Sequence, residues 1–529
     1  MFDKKLTNLF DESIDVKNQY ETVSENGAVK YSTSGNAFID NFASIGSFRD
    51  PRAYSEVAND MELLWNVDPL KCLKLAVYIR MITRATKNDD EILEVQKGQG
   101  LKNEGILRII WIAINHPNTF KSNISIFILA GSWKDIFTML NLDLQYHGWN
   151  NRVLDWNFML GVIQAGLSNK NCTNLVRKYL PTIKTNSKAT TIKSQADTII
   201  GRWIAKSLFN SKESFKEYRK LKSKGSAHKW QQLISKRLFD KIDFNSVSGR
   251  ALSLLVNSKF LENQNLSNKY LEWIKNQPIA KYTGYVFELF KPCENVTQVP
   301  EYVKYTINAQ FKNLLQESPS KLLVVRDTSG SMMSMVPGCK VTAFTIAKAL
   351  ALYFSTALTG KFKDTYAEFN DTCVLHKWKG LTPVDKYLND THYSIGNTNF
   401  QSVIDLFINM KMLGCTSFPE GILCISDGQF DSCGTVSNFN KAIDRLRRAG
   451  FDKEYIDNFK IILWDIPTWT SSKPKFEDFA DAPNFYHLSG YDPSIISFIL
   501  GTKKKSTPKN ALELFESAMD QELLNRLTI

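Results

Sequence analysis

Along most of residues 55–315, apolar positions recur at spacings of three and four with polar gaps between them, the pattern of packed amphipathic helices. In 69–84 the set Leu70, Leu73, Val77 and Met81 marks one face, with Pro69 at a first helical position and Asp68 as its cap. Residues 101–115 repeat the pattern through Ile106, Ile109, Ile110 and Ile114. The same periodicity predicts helices at 124–130, 133–142, 151–166, 175–180, 192–209, 212–221, 229–238, 248–255, 266–273 and 300–316. Short helices in file predict an α-solenoid, which buries each repeat against its neighbour and exposes a long concave face; a compact all-α domain without a groove is the alternative. Ahead of them, the Ser-, Gly- and Asn-rich residues 20–48 read as an irregular arm with one short helix near 37–45.

Beyond residue 316 the pattern changes. A β-branched strand at 322–325 runs into DTSGSM and then a long helix at 342–359. Strands at 366–369 and 374–378, a helix at 401–412, a strand at 421–425, a helix at 438–449 and a strand at 460–464 follow. A closing segment at 485–487 plus 494–500 completes a doubly wound α/β sheet. In the tail, Leu512, Leu514, Phe515, Ala518, Met519, Leu523 and Leu527 predict one docked helix over 508–527. Ligands of such a sheet bind beyond the carboxyl ends of its strands, where Asp327 and Asp427 both fall. Ser329 and Ser331 add two hydroxyls from the first loop and Thr398, in GNTNF, a third. Two carboxylates and three hydroxyls are hard oxygen donors suited to Mg2+ or a similar divalent cation in octahedral geometry. The order DxSxS, Thr, Asp resembles the metal-ion-dependent adhesion site (MIDAS) of von Willebrand factor A (vWA) domains, which assigns 317–502 to that Rossmann-like class. No GxxxxGK[ST] loop, general base or positioned nucleophile accompanies it, so no enzymatic activity is expected.

Charge separates the two halves further. The net charge of +12 is concentrated in residues 161–241, which hold 18 Lys or Arg against Asp197, Glu213, Glu217 and Asp240. That stretch is +14, and the other 448 residues together are −2. A local excess of this size implies a localised anionic partner. Lys170, Arg177, Lys178, Lys184, Lys188, Arg202, Lys216, Arg219, Lys220, Lys222, Lys224 and Lys229 are the candidate phosphate contacts. Tyr179, Trp203, Tyr218 and Trp230 are interleaved, and cations with aromatics are the ingredients of single-stranded nucleic-acid binding. The plainer alternative is a solvated lysine-rich face over buried aromatics.

The eight cysteines form no CxxC pair, and the recurrence of Cys415, Cys424 and Cys433 has no histidine near it, so reduced thiols are expected. No apolar run reaches membrane-spanning length, and the acidic N-terminal stretch is unlike a secretory signal. A cytoplasmic chain is expected, or a virion-associated one if its source is viral.

A helical array followed by a vWA domain, with a basic helical stretch, resembles the TROVE-domain proteins of the Ro autoantigen group, closest to a branch of fungi, plants, phages and large DNA viruses. The residues carrying the resemblance are GNAFIDNF at 35–42, Trp65 to Arg84, EYRK at 217–220 and KIDFNSVSGRAL at 241–252, within a similarity over roughly 35–500. It implies a HEAT-like array at 49–316 closed into a ring by the vWA domain, with RNA as ligand, an N-terminal arm at 1–48 and a C-terminal helix at 503–529. The function it implies is a noncatalytic ribonucleoprotein component; the competing reading is a structural or virion-associated module whose Mg2+ captures an acidic protein partner. Here ATKNDDE follows Arg84 in place of the Gly- and Arg-rich loop of many relatives.

Overall fold

The computed structural model describes residues 20–88, 91–225, 229–247, 249–318, 320–391, 395–468, 475–492, 499 and 508–529. They form two compact units. One comprises Met1–Arg52, Lys97–Gln99 and Leu271–Gln521; the other comprises Ala53–Gln96, Gly100–Tyr270 and Glu522–Ile529.

In chain order the elements that matter below begin with β1 (Glu21–Val23) and β2 (Val29–Tyr31), an antiparallel pair, and α1 (Ala37–Ala43). The helical unit follows with α2 (Tyr54–Val67), α3 (Pro69–Arg80), the strand pair β3 (Ile82–Asn88) and β4 (Glu91–Gln99), α4 (Lys102–Asn115), α5 (Pro117–Ala130) and α6 (Trp133–His147). It continues through α7 (Trp156–Ser168), α8 (Thr173–Tyr179), α9 (Ile192–Leu208) and α10 (Ser214–Ser223) to shorter helices such as Lys229–Ser235 and Gly249–Asn257. The apolar stripes predicted from the sequence point inward: Leu73 and Val77 of α3 and Ile106 and Ile109 of α4 are buried. An added Cβ on Gly105 would lie 2.7 Å from Arg80 Cα, so only glycine lets α4 cross α3 this closely. Two buried ion pairs, Arg80–Asp135 (2.6 Å) and Arg108–Glu104 (2.8 Å), sit among these helices.

The other unit is built on β5 (Leu322–Asp327), β6 (Thr365–Phe369), β7 (Cys373–Lys377), β8 (Gly421–Ser426), β9 (Lys460–Asp465) and β10 (Phe485–Ser489), in the order β10-β9-β8-β5-β6-β7. All pairs are parallel except β6 with β7, and Val325 stands opposite both Cys424 and Ala367. Central strands of a covered parallel sheet are apolar on both faces, and every residue of β5 and β8 is buried. Alternation divides them. Leu323, Val325, Ile422 and Cys424 face α12 (Gln401–Met412) and α13 (Asn438–Arg448) through Phe407, Phe439 and Leu446. The opposite face carries the helix Ala343–Ala357, whose Phe354 meets Trp464 of β9 at 5.1 Å. There Arg326 is fully buried, bonded to Asp390 (2.7 Å) and paired with Glu368.

Three elements differ from the sequence reading. The strand pair β3–β4 occupies a stretch in which no strand was expected, although its alternating β-branched residues either side of Asn-Asp-Asp are a hairpin pattern. Residues 20–34, expected to be irregular, carry the β1–β2 hairpin. The tail is two helices, Ala511–Met519 and Glu522–Asn525. Between them the Gln521 side chain leaves the helical path to bond both Lys97 N (2.9 Å) and Lys97 O (2.9 Å), a tertiary demand that periodicity does not register. Of the expected closing segment 494–500, all but Ile499 lies outside the described residues.

Candidate functional site

The chain leaves β5 for β6 on one side and returns to β8 on the other, so the strand order reverses between β5 and β8. A crevice opens at such a point beyond the carboxyl strand ends. Asp327 closes β5 and Asp427 immediately follows β8, so the two flank this crevice, and both are buried. Asp327 is held from both sides, since Ser329 N donates to Oδ1 (2.7 Å) and the Ser426 hydroxyl to Oδ2 (2.5 Å). Gln429 N donates to Asp427 Oδ1 (3.3 Å), and Ser331 also bonds the Asp427 carboxylate. Ser329 Oγ and Ser331 Oγ are 3.1 Å apart. Two cis ligands of an octahedral ion with bonds of 2.0–2.1 Å stand about 3.0 Å apart, so these hydroxyls have the spacing of a shared Mg2+ edge. Thr398 is buried on the loop that pairs with Ser329 through Gly396. All five residues expected to bind metal therefore lie on the loops at this end of the sheet. Among the described residues no three His, Cys, Asp or Glu side chains gather as a metal-binding group. The donor set here has two carboxylates and three hydroxyls, and water completes the coordination of Mg2+ at sites of this kind.

Burial, then repulsion from Asp427, raises the Asp327 carboxyl well above its usual range; burial does the same to Asp427, where Asp465 adds repulsion and Lys30 opposes it. A raised carboxyl means the apo fold takes up protons that the unfolded chain, ionising near ~3.9, does not. Below neutral pH this uptake stabilises the apo unit, and the benefit is lost as pH rises through the folded values. Mg2+ competes with those protons, so its affinity is expected to fall as pH falls from 8 to below neutral. Calorimetry in two buffers of different ionisation enthalpy measures the proton release; a heat independent of buffer overturns the linkage.

The sequence reading missed the neighbours of this crevice. Asn26, between β1 and β2, donates to Gln429 O (2.7 Å) and reaches Thr398 Oγ1 (3.5 Å). Lys30 of β2 is buried, donating to Gly428 O (2.5 Å) with Glu477 at 3.3 Å. Next to them a cavity of about 90 Å³ is lined in part by Asp427, Asp465, Lys30 and His487. His487 Nε2 lies 3.5 Å from Asp465 Oδ2, and neither ring nitrogen makes a hydrogen bond. Asp465 ends β9 as Asp327 ends β5, a signal the sequence did carry. Lys30 and His487 stand alone in the chain and had none.

The candidate phosphate contacts divide by environment. Lys170, Lys184, Lys188, Arg202, Lys216, Arg219, Lys220 and Lys224 are exposed, and Arg177 and Lys178 are half-buried on α8. The side chain of Lys229 lies outside the described residues. Lys216 pairs with exposed Glu213 (3.1 Å). Lys222 is different: it is half-buried, its Nζ bonds Leu180 O and reaches Lys178 O (3.5 Å), and burial lowers its pKa. It therefore ties α10 to the carbonyls at the end of α8. Replacing it with methionine should cost ~1–3 kcal/mol, the value of a hydrogen bond to a charged group, in urea unfolding. Lys220→Met should stay within about 0.5 kcal/mol. Tyr218 and Trp230 are buried, Tyr218 donating to Pro181 O (2.8 Å), so these two aromatics are core and not stacking surface. Trp203 packs edge-on against Trp156 at 4.8 Å.

Together these features define a chain with two unlike surfaces, a helical unit carrying the basic stretch and a doubly wound α/β unit whose strand-end oxygens suit a small cation. Residues 24–262 match a family described as "Domain of unknown function (DUF2828)". The chain is also similar to "Uncharacterized protein L728" of Acanthamoeba polyphaga mimivirus, 21% identical over 538 residues, covering 93% of this chain and 86% of that protein. The family match covers the β1–β2 hairpin and most of the helical unit, and the viral relative spans both units. No helix among the described residues is long and apolar enough to cross a membrane.

Proposed function

We propose that this chain is a noncatalytic RNA-binding component of a ribonucleoprotein, similar to the Ro group, with a HEAT-like array holding RNA phosphates and a vWA-type domain binding one Mg2+. The observation that carries the reading is the row of exposed cations from Lys184 and Lys188 through Arg202 to Lys216, Arg219, Lys220 and Lys224. They lie in the one stretch whose charge is +14. Exposed lysines at this density repel one another, and an anionic strand relieves that repulsion while releasing its counterions. Filter binding of a single-stranded RNA across a salt series tests it. Six phosphate contacts give log K against log salt a slope of about −4. A flat response overturns the proposal.

The strand-end oxygen cluster favours a second reading, in which Mg2+ held by Asp327, Ser329, Ser331, Thr398 and Asp427 leaves a coordination position for the carboxylate of an acidic protein. A magnesium-dependent pull-down that survives high salt and nuclease supports it. On either reading the chain works in the cytoplasm, or in a virion if its origin is viral, as that of its similar mimivirus protein is.

A further inference from the structure

Between α6 and α7 the chain builds a surface that the row of lysines does not include. Buried Asp143 on α6 accepts from Val153 N (3.1 Å), Leu154 N (3.1 Å) and Trp156 Nε1 (2.7 Å), and its Oδ1 lies 3.0 Å from His147 Nδ1. One carboxylate thus pins the whole connection. On it the Arg152 guanidinium lies 3.9 Å from the ring centre of Trp149 and 4.9 Å from that of Trp156. Trp149 and Trp156 meet edge to face at 5.4 Å. Trp156 in turn meets Trp203 of α9, whose neighbours Arg202 and Lys206 are exposed. Trp156 is buried, as a core tryptophan should be. Trp149 instead keeps 38% of its surface exposed, and Tyr146, on the last turn of α6, keeps 71%.

Large aromatic rings held in place yet left to solvent, with cations beside them, are an arrangement that folding alone does not require. We propose that Tyr146 and Trp149, backed by Arg152, form a stacking site for an unpaired base of single-stranded RNA. Every nucleobase offers a π face to an aromatic ring, and the guanidinium adds a cation–π contribution while attracting the adjoining phosphate. An apolar peptide would meet cations around the rings, whereas a nucleotide has a partner for each group there. The inference rests on the RNA reading above and adds base contacts to what the lysines do with phosphates.

The two kinds of contact have different signatures, which makes the site testable apart from the reading it rests on. The probes are an oligoadenylate of about 12 nucleotides and an abasic ribose-phosphate strand of the same length. Wild type should prefer the oligoadenylate. Tyr146→Ala and Trp149→Ala should each weaken oligoadenylate binding about 5- to 150-fold, leave abasic binding unchanged, and leave the salt slope as it was, because no phosphate contact is lost. Trp149→Phe should restore most of the preference. Tyr146 is so exposed that its replacement leaves the fold intact, so its result stands even if Trp149→Ala disturbs the connection. Equal binding of both probes by wild type, or an unchanged preference in Tyr146→Ala together with Trp149→Phe and Trp149→Ala, overturns the stacking site while leaving the phosphate surface standing. No binding of either probe overturns both.

Discussion

Replacing Lys216, Lys220 and Lys224 with glutamate should weaken single-stranded RNA binding on the order of 100-fold or more at moderate salt and flatten its salt dependence by about 2 in slope, at ~0.7 per lost contact. The three residues are spaced by four, so they form one row on α10 and its end, with successive positions about 6 Å apart along the axis. All three are exposed, and removing them costs the fold little. Lys222, one position from two of them in the helical net, is left unchanged because its ammonium bonds the end of α8. Gel-shift or filter binding at several salt concentrations measures both quantities, and wild-type affinity in the triple variant would remove α10 from the RNA surface. Asp327→Asn serves as the contrasting variant, since a site made of hydroxyls and carboxylates holds at most one phosphate. A magnesium effect on RNA affinity that wild type shows and Asp327→Asn lacks would mean instead that the cation itself grips the strand.

The second large effect is complete loss of Mg2+ binding in Asp327→Asn. The amide keeps the shape of the side chain and an acceptor for Ser329 N, and it removes the negative charge that the cation neutralises. With that charge gone, the repulsion between Asp327 and Asp427 that raises both carboxyls also goes, so the apo unit should melt no lower than wild type. Wild type should gain ~2.7 kcal/mol at a Mg2+ concentration one hundred times Kd, and the variant should gain nothing. Ser329→Ala and Asp427→Ala should lose the calorimetric heat of Mg2+ binding as well. Wild-type heat in all three would show that the crevice between β5 and β8 does not hold the ion.

How much of this was legible in the sequence depends on the range of the interactions involved. The helix Gln401–Met412 has the limits its apolar spacing predicts, and β5 and β8 lie where compact β-branched and apolar runs place them. These are local patterns, decided by which side of a helix or strand must leave water. The cation crevice was legible for the same reason: DxSxS and Asp427 each follow a strand, and parallel strands bring their carboxyl ends to one edge. The aromatics were read less well. Tyr218 and Trp230 look like Tyr146 and Trp149 in one dimension, and only packing separates a buried ring from an exposed one.

The sequence by itself determined the alternation of helices and strands, the confinement of positive charge to 161–241, and the set of oxygen donors at the strand ends. The tertiary structure decided what each of those groups faces. It brought Asn26 and Lys30, some 370 or more residues away in sequence, against Thr398 and Gly428, turned Lys222 from a surface cation into a helix tie, and broke the tail at Gln521. The physical reason is that periodicity and capping depend on neighbours a few residues apart, whereas burial of a charge or exposure of a ring depends on segments that the chain brings together only when it folds.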